Sequence, residues 1–267
     1  MPPLQRLAEL EKFPQLTSLR DDLSVELAAL YNQTRQHERA LALIQSRRFQ
    51  PWEGGEGLAL GQHVRTHLAL GRRALAKGDF AEAMRFFKAA ADCPENLGEA
   101  RHLLANQGDV FYWLGVAFDA CKDSHSARHW WERAAGQKSD FREMSVKSFS
   151  ELTYYSALAL ARLGRSKQAE ELFRSMLVYA EGLARQEAKI DYFATSLPAM
   201  LLFQDDLQKQ NRATATLLEA QAWLGLRDTG RAHQLLKRLL DLDPSHALGA
   251  DFLQYLEDHS AAVSIPS

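Results

Sequence analysis

The chain has 267 residues, 46% hydrophobic and 25% charged, with 32 basic and 34 acidic side chains and a formal charge of -2. That balance argues against a dominant electrostatic partner such as duplex DNA or an anionic membrane. No apolar run approaches the ~18 residues that span a bilayer, and two cysteines, Cys93 and Cys121, are too few for a disulfide framework.

The N-terminal stretch "MPPLQRLAELEKF" carries charges through its apolar residues and has no signal-peptide core. The expectation is a cytoplasmic protein. Ala, Leu, Glu, Gln and Arg dominate, the residues that lose least on entering a helix. Apolar residues recur at three and four, as in Leu23, Leu27, Leu30 and Tyr31, or Leu152, Tyr155 and Leu158. Each helix therefore has one buried face, and the fold class is all-α.

Five segments share one signature in chain order: "VELAALYNQTRQHERALALI", "LALGRRALAKGDFAEAMRFF", "YWLGVAFDACKDSHSARHWW", "YSALALARLGRSKQAEELFR" and "LEAQAWLGLRDTGRAHQLLK". A small residue sits in a first helix at Ala28, Gly71, Gly115, Ala157 and Ala220. Twelve residues on comes an alanine in a second helix, at Ala40, Ala83, Ala127, Ala169 and Ala232. Two antiparallel helices approach closely only where side chains are small. Four residues further lie Ile44, Phe87, Trp131, Phe173 and Leu236, expected to wedge between neighbouring hairpins. The turns offer Asp or Ser to cap each second helix.

The units run over about 21–54, 58–97, 103–140, 146–183 and 207–245, within a single helical-repeat domain covering 1–257. An inserted helix is expected over about 187–206, where Pro198 suits a helix start. A capping helix follows over about 246–257, and 258–267 reads as a flexible tail.

The small residue, the following alanine, the aromatic and a late proline at Pro244 together resemble the tetratricopeptide (TPR) repeat. Its period is ~34 residues; the alanine spacings here are 43 (40 to 83), 44 (83 to 127), 42 (127 to 169) and 63 (169 to 232). Periods near 43 also suit HEAT or armadillo repeats; the constant offset of twelve favours the TPR unit with lengthened helices. The resemblance implies an α-solenoid of about five antiparallel helix pairs winding into a right-handed superhelix. Its first helices would line a concave face displaying Asn32, Arg65, Arg72, Asp109, Tyr112, Glu151, Tyr154 and Gln221. TPR proteins that clamp a chaperone's terminal carboxylate use lysine, arginine and asparagine. Val25, Ala29, Leu68 and Val116 stand at the matching places here, which disfavours that activity.

The phrases "RRFQPWEGGEG", "PENLGEARHLLANQGDVFYWLG", "TYYSALALARLGR" and "KIDYFATSLPAMLLFQDDLQ" are similar to the C-terminal helical half of a family of large bacterial proteins. In those, an uncharacterised β-sandwich region akin to sugar mutarotases precedes a TPR array. That resemblance implies an appendage of a missing N-terminal domain or a stand-alone relative.

"PWEGGEG" lacks the lysine of a phosphate loop, and Glu53 and Glu56 would repel an anion. It reads as a joint between helices, with Glu56 near the start of the next helix and Trp52 and Glu53 as candidate loop contacts. His63 with His67, and His125 with His129, are spaced to share a helical face, but "HVRTH" and "HSARH" lack the metalloprotease glutamate. They read as packing or surface histidines. Trp131 occupies the repeat's aromatic position, and Trp130 is a weak surface-contact candidate.

No cofactor, metal or catalytic constellation is indicated. The expectation is a non-catalytic scaffold, not an enzyme, that binds a protein partner or its own missing domain through the concave face. The alternative is an accessory domain of a carbohydrate-processing enzyme, with Tyr112 and Tyr154 stacking on sugar.

Overall fold

A computed structural model describes residues 1–50, 52, 54–137, 140–142, 145–187 and 207–262. Two short N-terminal helices, α1 (Pro3–Leu10) and α2 (Pro14–Leu19), precede α3 (Asp21–Gln33) and α4 (His37–Gln45). Then come α5 (Leu58–Ala76) and α6 (Phe80–Ala91), α7 (Gly108–Ala120) and α8 (Ser124–Ala135), and α9 (Thr153–Arg162) and α10 (Ser166–Arg185). The chain continues through α11 (Leu207–Gly225), α12 (Thr229–Leu242) and α13 (Ala247–Ala262). The expected inserted helix lies, except for Glu187, outside the described residues. Helix α13 runs on through Ala262, past the expected end of the cap at 257.

The pairs α3/α4, α5/α6, α7/α8, α9/α10 and α11/α12 are joined by one recurring turn. Its left-handed residue is Arg35, Gly78, Lys122, Gly164 or Arg227, each seven positions after the small residue of its first helix. The next amide in each turn donates to the carbonyl five residues back: Gln36 to Tyr31, Asp79 to Ala74, Asp123 to Phe118, Arg165 to Leu160 and Asp228 to Trp223. That geometry satisfies carbonyls which the first helix leaves unpaired at its end. Asp79, Asp123 and Asp228 then accept from the amides of Glu82, Ser126 and Arg231, each at 3.0 Å, and cap the second helices. Gln36 and Arg165 stand at the same place without a side-chain cap. Five turns of one geometry make this chain an α-solenoid of antiparallel helix pairs.

Packing within a pair follows from the small residues. Built onto Gly71, a methyl group would strike the ring of Phe87; on Gly115 it would strike Trp131. The closest approach at each glycine is therefore to the large residue sixteen positions on, not to the alanine at twelve. Those large residues reach across pairs as well. Phe87 stacks on Trp113 of the third pair at 5.9 Å, and Phe173 of the fourth pair fills the space over Gly225 of the fifth. Ile44, Phe87, Trp131, Phe173 and Leu236 are all buried, as are the five second-helix alanines.

The sequence suggested no strands, yet β1 (Asp140–Arg142) and β2 (Ser145–Lys147) form a short antiparallel hairpin between the third and fourth pairs. Three residues per strand are too few to print an alternation on the sequence. The N-terminal helices cover the first pair. Leu7 joins Leu27, Leu30, Tyr31 and Ala40 in a small core cluster, and Ser24 donates to the Thr17 carbonyl at 2.5 Å.

Replacing Trp131 by alanine should cost about 3–5 kcal/mol, because its ring fills the space that Gly115 leaves. Exposed Lys167→Ala should stay within about 0.5 kcal/mol. The turns give a second test. Gly78→Ala should cost about 1–2 kcal/mol, and Lys122→Gly should raise stability by up to about 1 kcal/mol as left-handed strain is relieved against a more flexible unfolded chain. Urea midpoints at constant slope read all four variants.

Candidate binding face

The first helices α3, α5, α7 and α9 turn one set of side chains toward a common face, and the C-terminal helix α13 lies on it. Arg65 on α5 grips Asp251 on α13 with both forks, Nε to Oδ2 at 2.9 Å and Nη2 to Oδ1 at 2.7 Å. The two side chains are only 11% and 19% exposed. Tyr154 on α9 meets Phe252 edge to face at 5.4 Å. Phe252 and Leu256 are buried in the core cluster that spans the third to fifth pairs. Just before α13, Ser245 accepts from Arg6 of α1 at 2.6 Å through its hydroxyl, and from Gln33 of α3 at 2.6 Å through its carbonyl.

These contacts demand curvature. A helix of sixteen residues is about 24 Å long, whereas five pairs stacked about 10 Å apart would extend about 40 Å in a straight row. The segment from Ser245 to Leu256 nevertheless touches the first, second, fourth and fifth pairs. The row bends until its two ends meet across α13.

The expected face residues have distinct places. Asn32 is buried and structural: its amide donates to Thr66 at 2.9 Å and Gln62 at 3.1 Å, and its oxygen pairs with the His37 ring at 3.0 Å. Arg65 holds α13. Arg72 is half-buried, 5.8 Å over the Trp113 ring. Asp109 accepts from the Val110 amide at 2.8 Å at the start of α7. Tyr112 and Tyr154 are buried and pack against Tyr155 at 5.9 and 5.3 Å, so neither offers a ring face to solvent. Gln221 is buried and donates to the Glu151 carbonyl at 3.0 Å. The structure thus brings Arg65, Tyr154 and α13 together. Asp251 and Phe252 escaped the sequence reading, since Asp251 lies 186 residues from Arg65 with no local signal to join them.

The loop of "RRFQPWEGGEG" is a joint tied at both ends. Arg47 pairs with Asp21 and donates to the Ser18 carbonyl at 3.1 Å. Buried Phe49 donates through its amide to Asn96 at 2.7 Å, and Asn96 returns to the carbonyls of Ile44 and Arg47. Trp52 is half-buried, its ring packed on Gly55; Glu53 lies outside the described residues. The carboxylate at the start of α5 is not Glu56 but Glu99, which accepts from Gly57 at 2.6 Å and Leu60 at 3.0 Å. Glu56 is exposed. A residue some forty positions away reaches the helix start because the chain returns alongside it.

His63 and His67 are buried, with ring centroids 4.2 Å apart. His63 Nε2 donates to the Ala89 carbonyl, and His67 Nδ1 to the His63 carbonyl, each at 2.8 Å. His125 and His129 are exposed, and Trp130 packs between Phe111 and Arg133. Among the described residues no cluster of three or more His, Cys, Asp or Glu side chains could hold a metal ion. No described helix is long and apolar enough to cross a membrane.

No protein-family model matches the chain. Among solved structures it is similar to YrrB, described as a TPR protein with an unusual peptide-binding site. Identity is 16%, coverage 92% of this chain and 97% of that one, and the TM-score 0.32. It is also similar to the C-terminal part of a TPR repeat-containing protein from Cytophaga hutchinsonii, at 16% identity, 93% coverage of both chains and a TM-score of 0.26. Both scores are low, and the helix-pair assignment stands on the five equivalent turns of this chain.

Burial lowers the pKa of four histidines. His63 falls to about 4 from burial, with neighbouring His67 adding to the fall. His37 falls to about 4 from burial and then from Arg65, Arg72 and Arg73, against the pull of Asp251. His67 and His246 are lowered mainly by burial. The folded chain therefore keeps these rings neutral where the unfolded chain would protonate them. Their contribution is fully present above the unfolded value near 6.5 and is lost as pH falls toward 4. The melting temperature should drop between pH 7 and pH 5, and His63→Gln should flatten that slope; differential scanning calorimetry across the range reads both.

Proposed function

We propose that the chain is a non-catalytic helical-repeat scaffold whose inner face holds a segment of a partner protein. The observation that carries this reading is the way α13 is seated there: a whole helix held by a bidentate Arg65 fork and an aromatic edge contact to Tyr154. A planar guanidinium reads a carboxylate with defined geometry, and a desolvated aromatic anchor supplies area. A face that seats one helix has the length and chemistry to seat another. The partner is a separate protein or a domain of the same polypeptide. A sugar ligand has no such support, because Tyr112 and Tyr154 are covered by other rings.

Selection of peptides from a helical library on the full chain tests this. Selected peptides should lose at least tenfold in affinity on Arg72→Glu, a change on the inner face. Arg85→Glu, at an exposed position where Arg85 pairs with neighbouring Glu82 and lies over the Phe86 ring, should leave them unaffected. Peptides indifferent to Arg72, or none selected, would remove the reading.

A further inference from the structure

We infer that α13 is a displaceable, self-supplied occupant of the inner face, and that the partner segment taking its place is an amphipathic helix with an acidic residue directly before an aromatic one. This rests on the inner face being the partner-binding surface. The template is the sequence "GADFLQYLE", Gly249 to Glu257, in which Asp251 meets the Arg65 fork, Phe252 meets Tyr154, and Leu256, one turn on, is buried beside them. Phe252 and Leu256, four apart, share one stripe of the helix, and Asp251 lies about 100° around from Phe252 at its edge.

Two features mark α13 as an occupant of the face even though Phe252 and Leu256 join the core cluster. First, it hangs from α12 by a short connection, Asp243 to His246. There Asp243 is extended (φ -135°, ψ 91°) and its carboxylate caps the Ser245 amide at 3.0 Å. Proline at 244 keeps α12 from running on into α13. The connection belongs to no helix pair, and the Ser245 bonds to Arg6 and Gln33 are ties that must break when α13 leaves. Second, α13 fits imperfectly. Arg65 Nη1 is buried with no hydrogen-bond partner, although Nη2 also donates, at a long 3.5 Å, to the Ala247 carbonyl at the start of α13. Gln221 Oε1, on first helix α11 of the fifth pair, is likewise buried and unpartnered. A buried donor without an acceptor is costly. A segment presenting one more acceptor to Arg65 gains what α13 forgoes and displaces it when offered in trans at a concentration that offsets the tether of α13.

Charge sets the preference for an acid. Arg65 pairs with the Asp251 carboxylate and Arg72 stands within electrostatic reach of the same buried tyrosine, Tyr155, while Asp109 and Glu151 act on Tyr155 and His246 alongside Asp251 and disfavour a continuous acidic run. One carboxylate beside the aromatic residue is the matching pattern, not an acidic tail.

Hydrogen exchange on the unmodified full chain is the first test. Amides of α13 should exchange at least tenfold faster than those of α11 and α12, through an opening that leaves the pairs folded. Equal protection of all three overturns displaceability. Second, a labelled peptide copying residues 245–262 is titrated into the full chain by fluorescence anisotropy. Asp251→Ala, which loosens α13, should tighten peptide binding at least tenfold. Arg65→Glu should abolish it, as should lysine in place of the peptide's own aspartate.

If Asp251→Ala does not fold, excess peptide on the unmodified chain decides: it should speed exchange of α13 and protect nothing else. Library peptides that bind while α13 stays protected would overturn this inference and leave the scaffold reading standing. Failure of every peptide to bind the loosened, folded chain would end both. A concentration-dependent dimer with exchanged α13 helices would make the occupant a second copy and overturn the partner segment.

Discussion

In the second and third helix pairs a large side chain covers a glycine on the facing helix. Phe87 lies over Gly71, and Trp131 over Gly115, where even a methyl group would collide. Close approach lets the rings span two pairs at once, so that each pair buries what its neighbour leaves bare. The energy of such contacts depends on shape: removing a ring leaves a cavity, and adding a methyl forces the pair apart. A left-handed residue seven places after each small one keeps the crossing in register through five turns. The device works with glycine at two turns and with arginine or lysine at three.

On that frame the first helices are free to face inward, and curvature brings the first and fifth pairs to opposite sides of one helix. The Arg65–Asp251 pair is the hinge of this arrangement. Breaking a largely desolvated pair by removing one partner leaves a buried charge unanswered, a larger penalty than losing both. The same logic governs the joint after α4. There Arg47 and Asp21 are mutually paired and little exposed, and Glu99 answers the amides at the start of α5. Buried histidines run through this interior as neutral donors, which couples the frame to acid.

Much of this was legible from local pattern. The offset of twelve between small residue and alanine, the aspartates in the turns and the large apolar residue four places on are consequences of helical periodicity and capping, interactions that reach only one or two turns along the chain. The same locality explains the misses. The Glu99 carboxylate and the β1–β2 hairpin are set by chain return, and Tyr112 and Tyr154 appear inward-facing from their register while the rings that cover them come from other helices.

The sequence by itself determined the helix pairs and where their turns fall, because those follow from spacing within some twenty residues; which residues meet inside a pair, Gly71 with Phe87 and Gly115 with Trp131, came from the packing. Only the tertiary structure decided how far the row bends and what lies on its inner face. Curvature is the sum of small rotations at every interface, and the partner of Arg65 stands 186 residues downstream, beyond the reach of any local rule.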